Sequence, residues 1–130
     1  MAKCVEHDRE RSRCAICSPE SVYAAYQRQA KARNLTFTLT SQEFEALVNA
    51  RCHWCGRYEA NGLDRKDNRI GYVKNENVNN VVPCCWRCNR AKGSLSEHEW
   101  LDLCRTVCAN QEKKIKLAEQ KLAALPPVAA

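Results

Sequence analysis

The chain has 130 residues, ten of them cysteine, and a net charge of +6. No stretch approaches the roughly 18 apolar residues that span a bilayer, and the charged start MAKCVEHDRERSRC lacks the apolar run of a signal peptide. These features argue against a membrane protein, a secreted disulfide scaffold and a collagen-like fibre; in the reducing cytoplasm that this reading implies, so many cysteines point to metal rather than to disulfides.

The charge is unevenly spread. Residues 1–34 carry an excess of +3 and residues 64–95 an excess of +4, while the rest of the chain is close to neutral. Those two segments also hold cysteine motifs. A basic surface around metal knuckles suits a polyanion, with nucleic acid the expected partner. An ordinary solvated surface is the alternative reading of the same charges.

In chain order, Ser18-Pro19-Glu20 opens a helix expected to run to about Arg33, with Val22, Ala25, Tyr26 and Ala30 as its apolar stripe. Leu35 to Leu39 alternates with period two and reads as a short strand. Thr40-x-x-Glu43 is a capping box for a helix to about Ala50, with Phe44, Leu47 and Val48 inward. Gly62–Arg65 and Val81–Cys84 are short strand candidates. The Asn- and Gly-rich segment between them is a loop, with a further strand candidate at Ile70–Val73. A short helix follows through about Lys92. Ser96-x-x-Glu99 caps a last helix that extends towards Leu125, where Pro126-Pro127 ends it. Cys84, Cys104 and Cys108 read as buried core thiols.

The metal motifs come next. Cys52-x2-Cys55 and Cys85-x2-Cys88 supply four thiolates, the donor set of a closed, structural zinc site. Trp54 and Trp86, inside the two knuckles, are expected to cover that zinc. Cys4-x2-His7 with Cys14-x2-Cys17 has the spacing of a second, three-Cys one-His zinc site. Two zinc ions per chain are therefore expected, both structural.

The run CHWCG…GLDRKDNRIGY…NNVVPCCWRCNRAKG, with its flanks over roughly residues 22–103, resembles the HNH endonucleases of the phage type with zinc knuckles. The resemblance implies an α+β chain. At its centre would be a ββα-metal, HNH-like finger stapled by the four-thiolate zinc, flanked by helices and preceded by the N-terminal knuckle. It implies a division into residues 1–18 (knuckle), 19–50 (helix-strand-helix lead-in), 51–108 (HNH-like zinc domain) and 109–130 (C-terminal helix and tail).

It also implies a DNA endonuclease that hydrolyses phosphodiester bonds with Mg2+ or Mn2+, located in the host cytoplasm if phage-encoded. Carried over by motif position, Asp64 is the metal-binding acid, Asn80 the middle Asn, and Asn89 the metal ligand on the helix. Asp and Asn oxygens suit such a hard cation. Arg65 stands where the family has its histidine base, and arginine stays protonated at physiological pH. Asp67 or Asn68 would then orient the water, His53 or His98 would approach in the fold, or Arg65 would contact the scissile phosphate. Otherwise the finger binds DNA without cutting it. Lys66, Arg69, Arg87, Arg90 and Lys92 are the expected phosphate contacts. A stripe of Ile115, Ala118, Leu122 and Leu125 is the expected surface for a helical partner or a homodimer.

Overall fold

The computed structural model describes residues 3–4, 9–10 and 13–128. The described residues are α+β, with helices and two small antiparallel sheets of two strands each. Strands β1 (Lys3–Cys4) and β2 (Arg9–Glu10) pair at the N-terminus, and helices α1 (Pro19–Ala32) and α2 (Ser41–Asn49) follow. Strand β3 (Leu63–Arg65) then pairs with β4 (Val81–Pro83), before helices α3 (Trp86–Lys92) and α4 (Glu97–Ala123). Residues 1–96 and 97–130 are two separate compact units. Among the described residues, no helix is long and apolar enough to cross a membrane.

The capping box of α2 forms as expected. The Thr40 hydroxyl accepts from the Glu43 amide at 3.1 Å, and the Glu43 carboxylate accepts from the Thr40 amide at 3.0 Å. Phe44, Leu47 and Val48 face inward from this helix and join Ala30, Leu39, Leu63, Tyr72 and Val81 in the main core. Rings of Tyr23, Tyr26, Phe37, Phe44 and Tyr72 pack with centroids 5.4–5.7 Å apart. Tilted and edge-on pairs of this kind stabilise beyond their area alone.

Two expected strands are absent. Leu35–Leu39 and Ile70–Val73 meet through a single parallel bridge, Phe37 to Tyr72, rather than forming ladders. The Tyr72 amide donates to the Thr36 carbonyl at 2.7 Å, and the Thr38 amide donates to the Tyr72 carbonyl at 3.0 Å. Gly71 permits this approach, since a Cβ there would run into the Thr36 carbonyl. Alternation of side chains reports which residues turn inward; a ladder also needs a long enough partner strand.

The loop from β3 to β4 is tied down by Asn80, which is 4% exposed. Its Oδ1 accepts from the Asp67 amide at 2.8 Å, and its Nδ2 donates to the carbonyls of Asp67, Ile70 and Gly71 at 3.0–3.1 Å. Asn80→Ala removes one acceptor and two donors from backbone partners that are buried or half-shielded from water. It should cost about 1–3 kcal/mol. Hydrogen exchange at the Asp67 amide should speed up in step; unchanged exchange there would remove Asn80 from this role.

The cysteines expected in the core of α4 are not there. Cys104 is half-buried and Cys108 exposed, and α4 has no buried residue. Their i,i+4 spacing places them on one stripe, but a stripe is buried only where a partner covers it. Cys84 does belong to the core, at 1% exposure.

Candidate metal centre and the cleft beside it

The two expected knuckles converge. Ligand atoms of Cys52, Cys55, Cys85 and Cys88 all lie within 4.8 Å of one another. A tetrahedral zinc with bonds of about 2.3 Å requires sulfur–sulfur edges of about 3.8 Å. The Cys55 and Cys85 sulfurs are 3.9 Å apart. The donor set and the spacing both fit zinc.

Local structure brings the thiols there. Gly56 ends the first knuckle with φ +64°, a conformation that glycine adopts without strain. The second knuckle opens α3, where Cys85 is the N-cap and its sulfur accepts from the Cys88 amide. The His53 amide donates to the Pro83 carbonyl at 2.8 Å, which joins the first knuckle to β4. Cys52, Cys84 and Cys85 form a second buried cluster, with Trp54, Tyr58 and Cys88 packed against it.

Burial opposes ionisation of Cys55, but hydrogen bonds from the Arg57 and Tyr58 backbone, with help from Cys52 and Cys88, bring its thiol down to about 6. Burial pushes Cys85 and Cys88 upward instead. A thiolate at Cys55 therefore forms more readily than one at Cys85 or Cys88, and a bound cation would let those two ionise as well.

Of the second expected site, Cys4 and His7 lie outside the residues whose side chains are described. Cys14 and Cys17 form a knuckle of the same kind, with the Cys17 amide donating to the Cys14 sulfur at 3.4 Å. Asn61 secures it to the body of the fold. The Asn61 Nδ2 donates to the Cys14 sulfur at 3.3 Å, and its Oδ1 accepts from the Ala15 amide at 2.7 Å. The sequence carries no sign of this role beyond an Asn-Gly pair.

Beside the four-thiol cluster lies a cleft of about 370 Å³, lined by residues that include Arg33, Asp64, Arg65, Asn68, Asn89 and Ser94. The structure thus gathers Asp64, Arg65 and Asn89, as the resemblance implied. Asp64 and Arg65 both have protein partners there.

Asp64 is 6% exposed and already engaged. The Trp54 indole N–H donates to its Oδ2 at 3.0 Å. The Lys92 ammonium lies 3.2 Å from Oδ2 and 3.4 Å from Oδ1. Lys92, expected on the surface as a phosphate contact, is 1% exposed, so that expectation is corrected. Its ammonium also donates to the Arg65 carbonyl at 3.2 Å. A buried ammonium needs a counter-charge, and Asp64 is the carboxylate within reach.

Arg65 is 7% exposed. Its Nη1 donates to the Asn68 and Ile70 carbonyls at 2.7 and 3.1 Å, and its guanidinium lies over the Tyr72 ring. It pins the loop from inside. Asn68 Nδ2 donates to the Ser94 carbonyl at 2.9 Å, which closes the loop onto the end of α3.

Asp67 and Arg69 satisfy each other. Arg69 Nε and Nη2 donate to the two carboxylate oxygens at 3.0 and 2.8 Å, and the Arg69 amide adds a bond at 2.9 Å. The hydrogen bonds from Arg69 hold the Asp67 carboxyl down at about 2, so it is a poor proton acceptor at neutral pH.

Lys66 is half-buried, while Arg87, Asn89 and Arg90 are exposed. The Arg87 guanidinium sits 4.2 Å from the Tyr58 ring centroid and 4.7 Å from that of Trp86. Trp54 packs on the thiol cluster as expected, whereas Trp86 is exposed. His53 is exposed and stacks edge-on against Trp54, and no histidine lines the cleft among the described residues.

The chain is similar to an uncharacterized protein of Acanthamoeba polyphaga mimivirus. The two are 38% identical over 88 residues, which is 65% of this chain and 16% of the viral protein. The chain thus matches only a small part of that relative's length. No family model matches the chain, and no solved structure matches it.

Proposed function

We propose that the chain is a zinc-stapled, HNH-like ββα finger that binds DNA and no longer hydrolyses it. The observation that carries this reading is the closed state of Asp64. The residue at the metal-acid position spends its charge on Lys92 and Trp54, and the residue at the base position, Arg65, is a buried loop anchor. Strand β3, a long loop, strand β4 and helix α3 follow one another in the order of the ββα finger, and the thiols of its two knuckles cluster.

Zinc bound to four thiolates has no open position and serves as a staple. Arg87 and Arg90, exposed on α3, would contact phosphates, and Arg33 at the rim of the cleft would add a third charge. Such contacts carry affinity without reading sequence.

One observation favours a second reading, a metal-dependent endonuclease. Asp64 and Asn89 line one cleft, and the Asp64 Oδ1 has only the longer contact to Lys92. In that reading Trp54 and Lys92 orient a carboxylate that binds Mg2+ or Mn2+.

Incubation of supercoiled plasmid with the zinc-loaded protein, with and without added Mg2+ or Mn2+, separates the two. The expected result is binding without nicking. Nicking that depends on the added cation, and that Asp64→Ala abolishes in protein that keeps its zinc and its fold, would establish the endonuclease instead. Affinity should fall steeply with salt. Removing both Arg87 and Arg90 should flatten that dependence by about two phosphate contacts, a slope change near 2. Affinity indifferent to salt would rule out the nucleic-acid reading altogether.

A further inference from the structure

From Arg105 to Val128 every residue is exposed, and α4 continues as a helix to Ala123. Nineteen residues of helix standing in water are marginal by themselves, because helices in proteins draw most of their stability from a packed face. The face is present in the sequence. Starting from Leu101, positions 104, 108, 111, 115, 118 and 122 follow at strict steps of three and four. They are Cys104, Cys108, Gln111, Ile115, Ala118 and Leu122, a seam of seven-residue period. Ile115 and Leu122 are 56% and 71% exposed.

We infer that this seam is covered by α4 of a second copy of the chain, in a parallel, in-register two-stranded coiled coil. Charge selects the second copy and the direction. With Leu101 at position a, Glu112 and Glu119 fall at e, and Lys114 and Lys121 at g. A parallel pair sets Lys114 of each copy against Glu119 of the other, on both sides of the seam. An antiparallel pair lays each edge along its own copy, lysines towards lysines and glutamates towards glutamates. The small residues Cys108 and Ala118 suit close approach, and Gln111 places one polar pair in the seam. In such a dimer both chains enter the coil at the same end. The inference does not depend on the DNA-binding reading.

Sedimentation equilibrium of the zinc-loaded full chain provides the test. The wild type should show twice the 14.8 kDa chain mass. Ile115→Glu and Leu122→Glu, on the seam, should each raise the dimer dissociation constant by at least about tenfold. Leu117→Glu is the control: Leu117 is 52% exposed but lies off the seam, and its variant should remain dimeric. Mild oxidation followed by peptide mapping should trap Cys108 to Cys108 between copies. A monomer at all concentrations would overturn the inference, as would equal loss of dimer in Leu117→Glu, or a dimer in which Cys108 never links to its counterpart.

Discussion

Removing the metal with excess chelator is expected to destabilise residues 51–95 strongly, leaving Leu63, Tyr72 and Val81 in the main core as their remaining apolar anchors. The sheet at their centre has three residues per strand, and two-stranded pairs of that size are not stable alone. The second buried cluster consists of three of the four thiols (Cys52, Cys85 and Cys88), Cys84 and two flanking rings. Without a cation, four sulfurs within 4.8 Å either stay protonated and lose their shared bond or ionise and repel.

Structural zinc sites contribute an apparent 10–16 kcal/mol in small peptides, comparable to the roughly 5–15 kcal/mol stability of a whole domain. The expected readout is loss of most of the near-ultraviolet dichroism, to which Trp54 on the thiol cluster contributes, and a collapse of the melting transition, both restored by added zinc. Each ligand must be a thiolate, so protons compete with the metal and mild acid should act in the same direction. Cys85→Ser should reproduce the loss.

Cys84→Ser is the informative contrast. Its side chain points elsewhere, donating to the Cys85 carbonyl at 3.3 Å, so zinc stoichiometry should not change. A protein that keeps its near-ultraviolet signal after verified zinc removal would refute the staple.

The second large effect is expected at Lys92. Lys92→Met preserves most of the side-chain volume but leaves the buried Asp64 carboxylate with the neutral Trp54 indole N–H in place of a counter-charge. Breaking one partner of a buried pair costs about 3–5 kcal/mol, because the remaining charge has lost both water and its counter-ion. Asp64→Asn alone should also destabilise, by stranding the ammonium. The double variant should recover much of the loss, since two neutral polar or apolar groups of similar shape carry little desolvation penalty.

That non-additivity is the signature, readable in denaturant melts of the zinc-loaded single and double variants. Additive losses would mean that the two side chains do not share one interaction. The experiment also bears on function. Lys92→Met frees the carboxylate for a cation, so tighter Mg2+ binding with cleavage in the variant but not in the wild type would show that the lysine occupies a former metal site.

The chain's own residues made its local devices legible. Thr40 and Glu43 are three apart, and each CxxC places two sulfurs on one turn, so capping and metal chelation follow from short spacing. Strands β3 and β4 and helix α3 also emerge close to their observed bounds, because Pro83 and the knuckles punctuate them.

The α4 stripe is equally readable as a period. What covers it is not, because a period states which side chains align and not what they meet. The roles at the cleft were decided by the fold. Asp64 and Lys92 stand 28 residues apart, and in a seven-residue helix a lysine reads as solvent-facing. Packing α3 against β3 turns that lysine inward, and a buried charge then has to take the nearest carboxylate. Arg65 likewise reads as a surface cation until the loop folds back over Tyr72 and offers it two carbonyls. The thiol cluster and the main helices were readable because they rest on contacts a few residues long. Whether the acid near those thiols is open to a cation or closed by a lysine was readable only in the folded chain, because burial and charge pairing are set by residues far apart in sequence.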